Sequence, residues 1–423
     1  MRKFLYLILF VMTLCVFFCS CSQKTNDVKK TSSQHEKKLK SVPNNNTKED
    51  VISEEDLEKG YDLPVSAQEN EEATRDSMQI MSGLEHIYRN ADKGDSLNVF
   101  LDNKSICKMI KKIKQQGYSV TVSEDYSNME NYKRFSSFLA KAQKKQKGSG
   151  VIYEVHSEGS IGREKFIYDG KDMFLLASNA SWDDNGKPII TFVSYTRIKK
   201  WRYSRKGWFC YELCVPEYPE VTEMVDGSCL IRIKPMSDNK RKLSRKCVRG
   251  LAYQGNNILC SNWDQEHMQK IDYNGLYEYL YAMKYKKKFN GKKYPSGIPK
   301  DQFEQLIMEY LPVSREDIEK YASYNEKKKT YDWMRLGCFN YAPNFFGTSI
   351  PEVTKIKHNS NGTVTLTVDA VCEMVLCNEA VITHELTVKF NKDGSFRYLG
   401  NKILNGGIKK IPEYQYRILK EKS

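Results

Sequence analysis

The sequence lacks the short motifs that identify most enzyme classes. It contains no G-x-S-x-G, no H-E-x-x-H, no P-loop and no dinucleotide-binding fingerprint. No two cysteines have the C-x-x-C spacing, so zinc binding and thioredoxin-like redox chemistry have no support. Beyond the N-terminal segment, no window approaches the length of apolar sequence that a membrane-spanning helix needs. The length of 423 residues is enough for one large domain or two of ordinary size. The sequence motifs do not indicate an activity.

The N-terminal segment is typical of a secreted lipoprotein. Met1-Arg2-Lys3 is basic, residues 4–18 are almost wholly apolar, and Ser20 precedes Cys21. The apolar run is shorter than the roughly 20 residues that span a bilayer. We therefore expect residues 1–20 to be a signal peptide and Cys21 to become lipidated, with palmitate among its acyl chains. The alternative is simple secretion.

Residues 21–75 have the composition of a disordered tether that follows the lipidated cysteine. Seven lysines lie between Lys24 and Lys48, and six acidic residues lie between Glu49 and Glu58. Large apolar residues are few, so the segment cannot bury a core of its own. The basic half beside the anchor would suit an anionic membrane surface, and a merely solvated spacer is the alternative.

The remainder of the chain carries the net positive charge. The formal charge is +14, and loss of Arg2 and Lys3 with the signal leaves +12. We expect the protein on the extracytoplasmic face of the cell membrane, attached to it through the lipid. An anionic wall polymer or an envelope protein is then the expected partner. Nucleic acid is not expected, although Arg197–Lys206 mixes basic and aromatic residues, and no cofactor is indicated.

The periodicity predicts an α+β fold with predominantly antiparallel sheets and packed helices. Residues 76–294 are expected to form one α+β domain, and residues 295–423 to form helices followed by an antiparallel meander. Asn361-Gly362 and Asp393-Gly394 are strong hairpin turns, because these pairs tolerate positive φ. The C-terminal part could be cystatin-like or NTF2-like, an analogy that carries no function.

Three helix starts are predicted from capping residues. Asn128 could cap a helix that carries Tyr132 and three further large apolar residues. Asn262 could cap a short helix with Gln265 at its third position, the arrangement of a capping box. Ser314 could cap another helix, with Asp317 three residues further on.

Of the six histidines, His384 has the best-defined expected surroundings. On an alternating strand it falls in the same row as Ile382, Leu386 and Val388, which predicts that it faces the core. Such a histidine is usually neutral and hydrogen-bonded, and the alternative is that it lines a ligand pocket. Glu385 points to the opposite face and cannot act with it as a dyad.

Two further groups of residues are candidates for binding. Tyr273, Tyr277, Tyr281 and Tyr285 recur every fourth residue, so they form one helical stripe. The stripe either packs on a sheet or, with Trp333 among other tryptophans, forms an aromatic platform for a sugar or a peptide. Tyr277, Tyr281 and Trp333 are therefore pocket candidates beside His384.

Metal and thiol chemistry have weaker support. Asp264 and His267 are three residues apart and could reach one metal ion, but no third ligand is visible, so no metal site is expected. Nine cysteines follow Cys21, an odd number that leaves the disulfide state open. Cys210 and Cys214 would lie about 13 Å apart on a straight strand, beyond disulfide reach. No catalytic residue can be named.

Several passages together resemble an uncharacterised lipoprotein family of gut Firmicutes that is classed as a domain of unknown function. The resemblance covers roughly the part of the chain from Phe166 to the C-terminus, and it implies an envelope lipoprotein without supplying catalytic residues. The passages are Phe166–Met173, Gly207–Cys214, Tyr273–Tyr279, Cys338–Pro343 and Thr365–Met374.

These observations favour a membrane-anchored extracytoplasmic lipoprotein that binds an envelope ligand or protein partner without catalysis. A hydrolase directed at the cell wall is the first alternative, and it would need a carboxylate pair or a Cys–His contact in a cleft. A structural or assembly lipoprotein is the second, and it would show a large exposed apolar patch.

Overall fold

A computed structural model describes residues 53–94, 99–123, 126–337, 340, 346–372, 374 and 379–418. Contacts divide the chain into two compact units whose segments alternate along the sequence. The first unit takes Met1–Tyr118, Lys147–Lys199 and Leu213–Gly227, and the second takes Ser119–Gln146, Lys200–Glu212 and Ser228–Ser423. Residues 76–294 thus contribute to both units, and residues 295–423 belong to the second.

Eight α-helices and one π-helix occur in the described part of the chain. Side-chain caps fix several of their starts: the Ser66 hydroxyl accepts from the Glu69 N–H, and the Glu69 carboxylate accepts from the Ser66 N–H. The helices are α1 (Glu54–Lys59), α2 (Ala67–Arg89), α3 (Asn103–Gln115), α4 (Tyr132–Ala142), α5 (Asp238–Leu243), the π-helix (Ser244–Val248), α6 (Tyr273–Tyr285), α7 (Lys300–Tyr310) and α8 (Arg315–Tyr321).

The strands pair antiparallel throughout the described registers, so the predicted α+β class is confirmed. The strands are β1 (Ser119–Val122), β2 (Gly148–Val155), β3 (Ile161–Tyr168), β4 (Met173–Trp182), β5 (Pro188–Tyr203), β6 (Trp208–Leu213), β7 (Ser228–Arg232), β8 (Trp263–Asp264), β9 (Ile298–Pro299), β10 (Tyr324–Asn325), β11 (Thr330–Tyr331), β12 (Ile350–His358), β13 (Val364–Val371), β14 (Thr383–Phe390) and β15 (Phe396–Ile403).

Two of the three predicted helix caps are wrong. Asn131, not Asn128, precedes α4, and the Asn128 amide exchanges hydrogen bonds with the backbone of Met236 instead. No helix follows Asn262, whose side-chain oxygen accepts from the Ile403 N–H while the next two residues form β8. Both asparagine side chains hydrogen-bond to backbone groups that are distant in the sequence, and the local sequence does not predict such contacts. The predicted Ser314 cap of α8 is confirmed.

In the first unit, helix α2 packs on an antiparallel meander. Strands β2, β3, β4 and β5 follow one another in register, and α2 contacts β3 and β4. The Ser77 and Ser178 hydroxyls join this helix to β4 at 3.0 Å. Both α1 and the start of α2 fall within the range that the composition assigned to the tether.

In the second unit, a five-stranded sheet packs against α6 and α7. Its strand order is β12-β13-β14-β15-β8, so the predicted meander is extended by a short strand from earlier in the chain. Gly362 and Gly394 have φ of 77° and 84°, which confirms the two predicted hairpin turns. Buried aliphatic and aromatic residues of α6, α7 and the sheet form one core.

Candidate functional site

His384 lies inside the core of the second unit, as the strand periodicity predicts. Its side chain is fully buried, and Leu386 and Val388 follow it in the buried row of β14. Its Nε2 lies 2.8 Å from the Tyr253 hydroxyl, and its Nδ1 lies 2.6 Å from Asn401 Oδ1. His384 therefore belongs to a chain of three polar side chains in an apolar core.

The partners of Asn401 fix the direction of these hydrogen bonds. The Asn401 amide nitrogen donates to the carbonyls of Leu259 and Ser261, so its Oδ1 is the acceptor facing the ring. His384 Nδ1 then carries the proton, and Tyr253 donates to Nε2. Burial lowers the pKa of His384 from 6.5 to about 4, although the bond to Asn401 acts in the opposite direction. The imidazole is therefore neutral, and its hydrogen bonds hold the core together.

The tyrosine stripe on α6 runs from the core to the surface. Tyr273 and Tyr277 are buried, Tyr281 is half-buried, and Tyr285 is 45% exposed. Tyr277 stacks on Phe303 with ring centroids 4.9 Å apart and an interplanar angle of 7°. The stripe is thus mainly a packing face, and only its last ring is well exposed.

Trp333 is half-buried beside the end of this stripe. Its ring makes an edge contact with Phe289 at 5.2 Å between centroids, and its Nε1 donates to Glu278 at 3.2 Å. A Cβ on Gly291 would come within 1.9 Å of the indole, so glycine at that position lets the backbone approach the ring. Trp333 is held by packing and by one hydrogen bond.

Asp264 and His267 lie together on the surface. The carboxylate and His267 Nδ1 are 2.8 Å apart, and both side chains are mostly exposed. Within the described residues, no group of three or more His, Cys, Asp or Glu side chains could hold a metal ion. Cys107, Cys247 and Cys260 are free thiols.

The second unit carries an open basic groove that was not predicted from the sequence. Its volume is about 490 Å³, and it is open to solvent rather than enclosed. Five of its lining side chains are cationic and one is acidic. The lining residues are Asp238, Asn239, Arg241, Lys242, Arg245, Lys246 and Lys286. His384, Tyr277, Tyr281 and Trp333 are not among them.

The wall of this basic groove is built on a π-helix. Helix α5 runs into Ser244–Val248, where the Arg249 N–H bonds the Ser244 carbonyl at 2.9 Å. The Ser244 hydroxyl accepts from the Val353 N–H at a register shift in β12, and Tyr398 donates to the Cys247 carbonyl. Single turns of π-helix are uncommon and occur frequently at functional sites.

Another part of the groove lining comes from the end of α6. Lys286 caps that helix with φ 55° and ψ 30°, the left-handed conformation that glycine or asparagine usually adopts there. For a residue with a side chain this conformation costs about 1 kcal/mol. Seven other non-glycine residues in the described part of the chain also have a positive φ, so this conformation alone does not mark a site.

The cations of the groove differ in how firmly they are held. Arg241 is paired with Asp238 at 2.8 Å. Lys246 donates to the Gly394 carbonyl and lies over the rings of Phe390 and Phe396. Lys242 and Lys286 are exposed and have no salt-bridge partner in the described part of the chain. The groove therefore combines fixed cations with cations whose charge is not neutralised.

The sequence does contain a signal for this groove. Six of the ten residues from Lys240 to Arg249 are lysine or arginine, and short runs of this kind indicate anion-binding patches. Leu243, Cys247 and Val248 interrupt the run because they face the core. The contribution of Lys286 could not be read from the sequence, since it comes from a different helix.

A buried group of charges occupies another part of the second unit. Glu352 and Asp369 lie directly opposite one another on β12 and β13, and both are buried. Arg232 pairs with Glu352, and Lys206 pairs with Asp369. Burial raises the pKa of Glu352 above its ordinary value, with Arg232 acting against that rise. Each carboxylate is thus engaged by a cation of the same unit.

The first unit has two buried charged groups of its own. Arg163 is fully buried and pairs with Glu72 and Asp76 of α2, each at 2.8 Å. On the other face of β3, Glu164 is buried beside Glu154, and burial raises its pKa to about 8. Its Oε2 has no hydrogen-bond partner among the described groups. Arg163 therefore ties the helix to the meander, and burial favours the protonated form of Glu164.

The predicted signal peptide and Cys21 lie outside the described residues, so their lipidation stays a prediction. Cys338 and Cys377 also lie outside the described residues. Among the described helices, none combines the length and the apolar character that crossing a membrane requires.

Comparison with known proteins places the chain in a family. The model of a family of unknown function, DUF6070, matches residues 70–417, and the chain belongs to that family. The match begins within α2 and therefore includes helices that lie before Phe166, where the resemblance begins. No curated protein matches the chain. No solved structure matches it either.

Proposed function

We propose that this member of the DUF6070 family is an extracytoplasmic lipoprotein that binds an anionic ligand of the cell envelope without catalysis. The basic groove of the second unit carries the proposal, because it is an open site of about 490 Å³ lined by five cations and one acid. Such a site attracts anions and concentrates them near its walls.

The groove is suited to binding because its frame is fixed before any ligand arrives. Ser244 and Cys247 are hydrogen-bonded to strands of the sheet, and the Lys246 ammonium is held between a carbonyl and two rings. A preformed frame lowers the ordering cost of association. Lys242 and Lys286 then supply charge that the described part of the chain does not neutralise.

The N-terminus supports the envelope location in this proposal. The lipoprotein resemblance and the signal-like segment ending at Cys21 would attach the protein to the cell membrane through acyl chains. Residues of the charged tether would then separate the folded units from the bilayer. The anionic ligands within reach are polymers and proteins of the envelope, rather than nucleic acid.

The anchor is tested by comparing the wild-type chain with Cys21→Ala in cells that receive a labelled fatty acid. We expect the wild type to incorporate the labelled fatty acid and to be found in the membrane fraction. The variant should do neither. Equal labelling of both proteins would refute lipidation at this cysteine.

The binding role is tested with the full chain immobilised in detergent and incubated with envelope extract. We expect an anionic component to be retained, and retention to fall when Lys242 and Lys286 are replaced by glutamine. Release of soluble wall fragments over time would instead favour the hydrolase. Equal retention of the anionic component by the wild type and the groove variant would overturn the proposed site.

A further inference from the structure

The shape and charge of the basic groove bear on the length of its ligand. The cations are spread over α5, the π-helix and the end of α6, and the groove is open rather than enclosed. A small monoanion would neutralise one or two of these cations and leave the others solvated. A ligand with several consecutive charges can engage them together, at the entropic cost of binding one molecule.

The hydrogen-bond donors that line the groove indicate which anionic groups the ligand carries. Guanidinium and ammonium groups only donate, and the Asn239 amide adds further N–H groups. Arg241 already has a carboxylate partner in Asp238, at 2.8 Å. The arginine fork matches carboxylates and phosphates alike, but a short lysine- and arginine-rich run such as Lys240–Arg249 is typical of surfaces that bind polymers bearing phosphate or sulfate groups.

Resting on the proposed function, we propose that the groove binds a linear phosphate-bearing polymer of the envelope through several consecutive phosphates. Arg241 and Arg245 supply forked donors from α5 and the π-helix, and Lys286 supplies an ammonium from the end of α6. Lys246 is held in place by the Gly394 carbonyl and two aromatic rings, and it adds a fixed charge to the lining.

The test uses the full chain in vesicles of phosphatidylcholine and inorganic polyphosphate as the probe. Polyglutamate of matched charge tests the preference for phosphate, and inorganic phosphate tests the need for a polymer. The groove variant is Lys242→Gln with Lys286→Gln. The matched control is Lys111→Gln with Lys112→Gln, which removes the same charge from exposed positions of α3.

We expect polyphosphate to bind more tightly than polyglutamate and far more tightly than inorganic phosphate. The groove variant should bind polyphosphate roughly tenfold more weakly, and the control should match the wild type. Between about 50 and about 200 mM salt, the slope of log K against log salt should be smaller in the groove variant by about 1.4, for two lost contacts at roughly 0.7 each.

Two results would overturn the inference and leave the proposed function standing, and a third would overturn both. Equal affinity for polyglutamate and polyphosphate would remove the preference for phosphate, and an anionic envelope ligand would still stand. Loss of polyphosphate binding when phosphatidylglycerol is added to the vesicles would assign the groove to lipid head groups. Failure of the groove variant to weaken either polyphosphate or the envelope ligand would remove the site altogether.

Discussion

Replacing His384 by leucine should destabilise the second unit by an amount that depends on pH. The leucine fills most of the imidazole volume, but it leaves the Tyr253 hydroxyl and Asn401 Oδ1 without their partners. A buried polar group that loses its hydrogen bond costs about 1–3 kcal/mol. The buried leucine offsets part of the cost of the two lost hydrogen bonds. We therefore expect the free energy of unfolding to fall by about 2–4 kcal/mol near pH 8.

The dependence on pH follows from the lowered pKa of His384. The unfolded chain takes up a proton near pH 6.5, whereas the folded chain takes it up only near pH 4. Between these values the unfolded state binds more protons, so the wild type loses stability as the pH falls. A difference of about 2.5 units at about 1.36 kcal/mol per unit amounts to about 3.4 kcal/mol in full. Most of this, about 2.5 kcal/mol, is lost by about pH 4.5.

The His384→Leu variant lacks this titration, so the difference between wild type and variant should shrink by about 2.5 kcal/mol from about pH 8 to about pH 4.5. Urea unfolding at both pH values gives the global stabilities, and hydrogen exchange of amides in β13 and β14 reports on the second unit alone. His358→Leu is the control, since this histidine is exposed on a strand of the same sheet. The control should stay within about 0.5 kcal/mol of the wild type. An equal destabilisation by His384→Leu at both pH values would show that the imidazole is not held neutral.

Two predictions concern the first unit. Arg163→Met removes the fully buried cation that pairs with Glu72 and Asp76. Because these carboxylates stay partly solvated, the free energy of unfolding, measured with urea, should fall by about 2–3 kcal/mol. The control Arg75→Met changes a side chain that is 63% exposed and should have little effect. Glu164 has its pKa raised from 4.5 to about 8, so the folded state binds the proton more tightly and stability falls as pH rises through that window. Glu164→Gln should abolish this loss, which reaches up to about 1.4 kcal/mol per pH unit, whereas an unchanged pH profile would contradict the assignment.

Local signals in the sequence predicted the parts of the fold that short segments decide. The alternation along β14 placed His384 in the core row, and Asn361-Gly362 and Asp393-Gly394 gave the hairpin turns. The failed caps at Asn128 and Asn262 show the limit, since both side chains bond backbone groups more than a hundred residues away. Capping rules describe what a side chain can do nearby, and they are silent about a distant partner.

The candidate groove depends even more on distant contacts. The basic run from Lys240 to Arg249 is visible in the sequence, but an α-helix and a π-helix have different periods and turn different residues outward after Ser244. The π-helix makes that choice, and it is stabilised by Ser244 bonding Val353 and by Tyr398 bonding the Cys247 carbonyl.

These hydrogen bonds link the core of the second unit to its candidate site. The inward side of the π-helix is bonded to two strands and buries Cys247 and Val248, so its conformation is set by the sheet. Arg245 and Lys246 are then presented on the groove side. A substitution that loosens the sheet, such as His384→Leu, should leave the groove intact only while the strands that hold Ser244 and Cys247 stay folded. Because of this dependence, binding should be measured under conditions in which every variant is shown by hydrogen exchange to be folded.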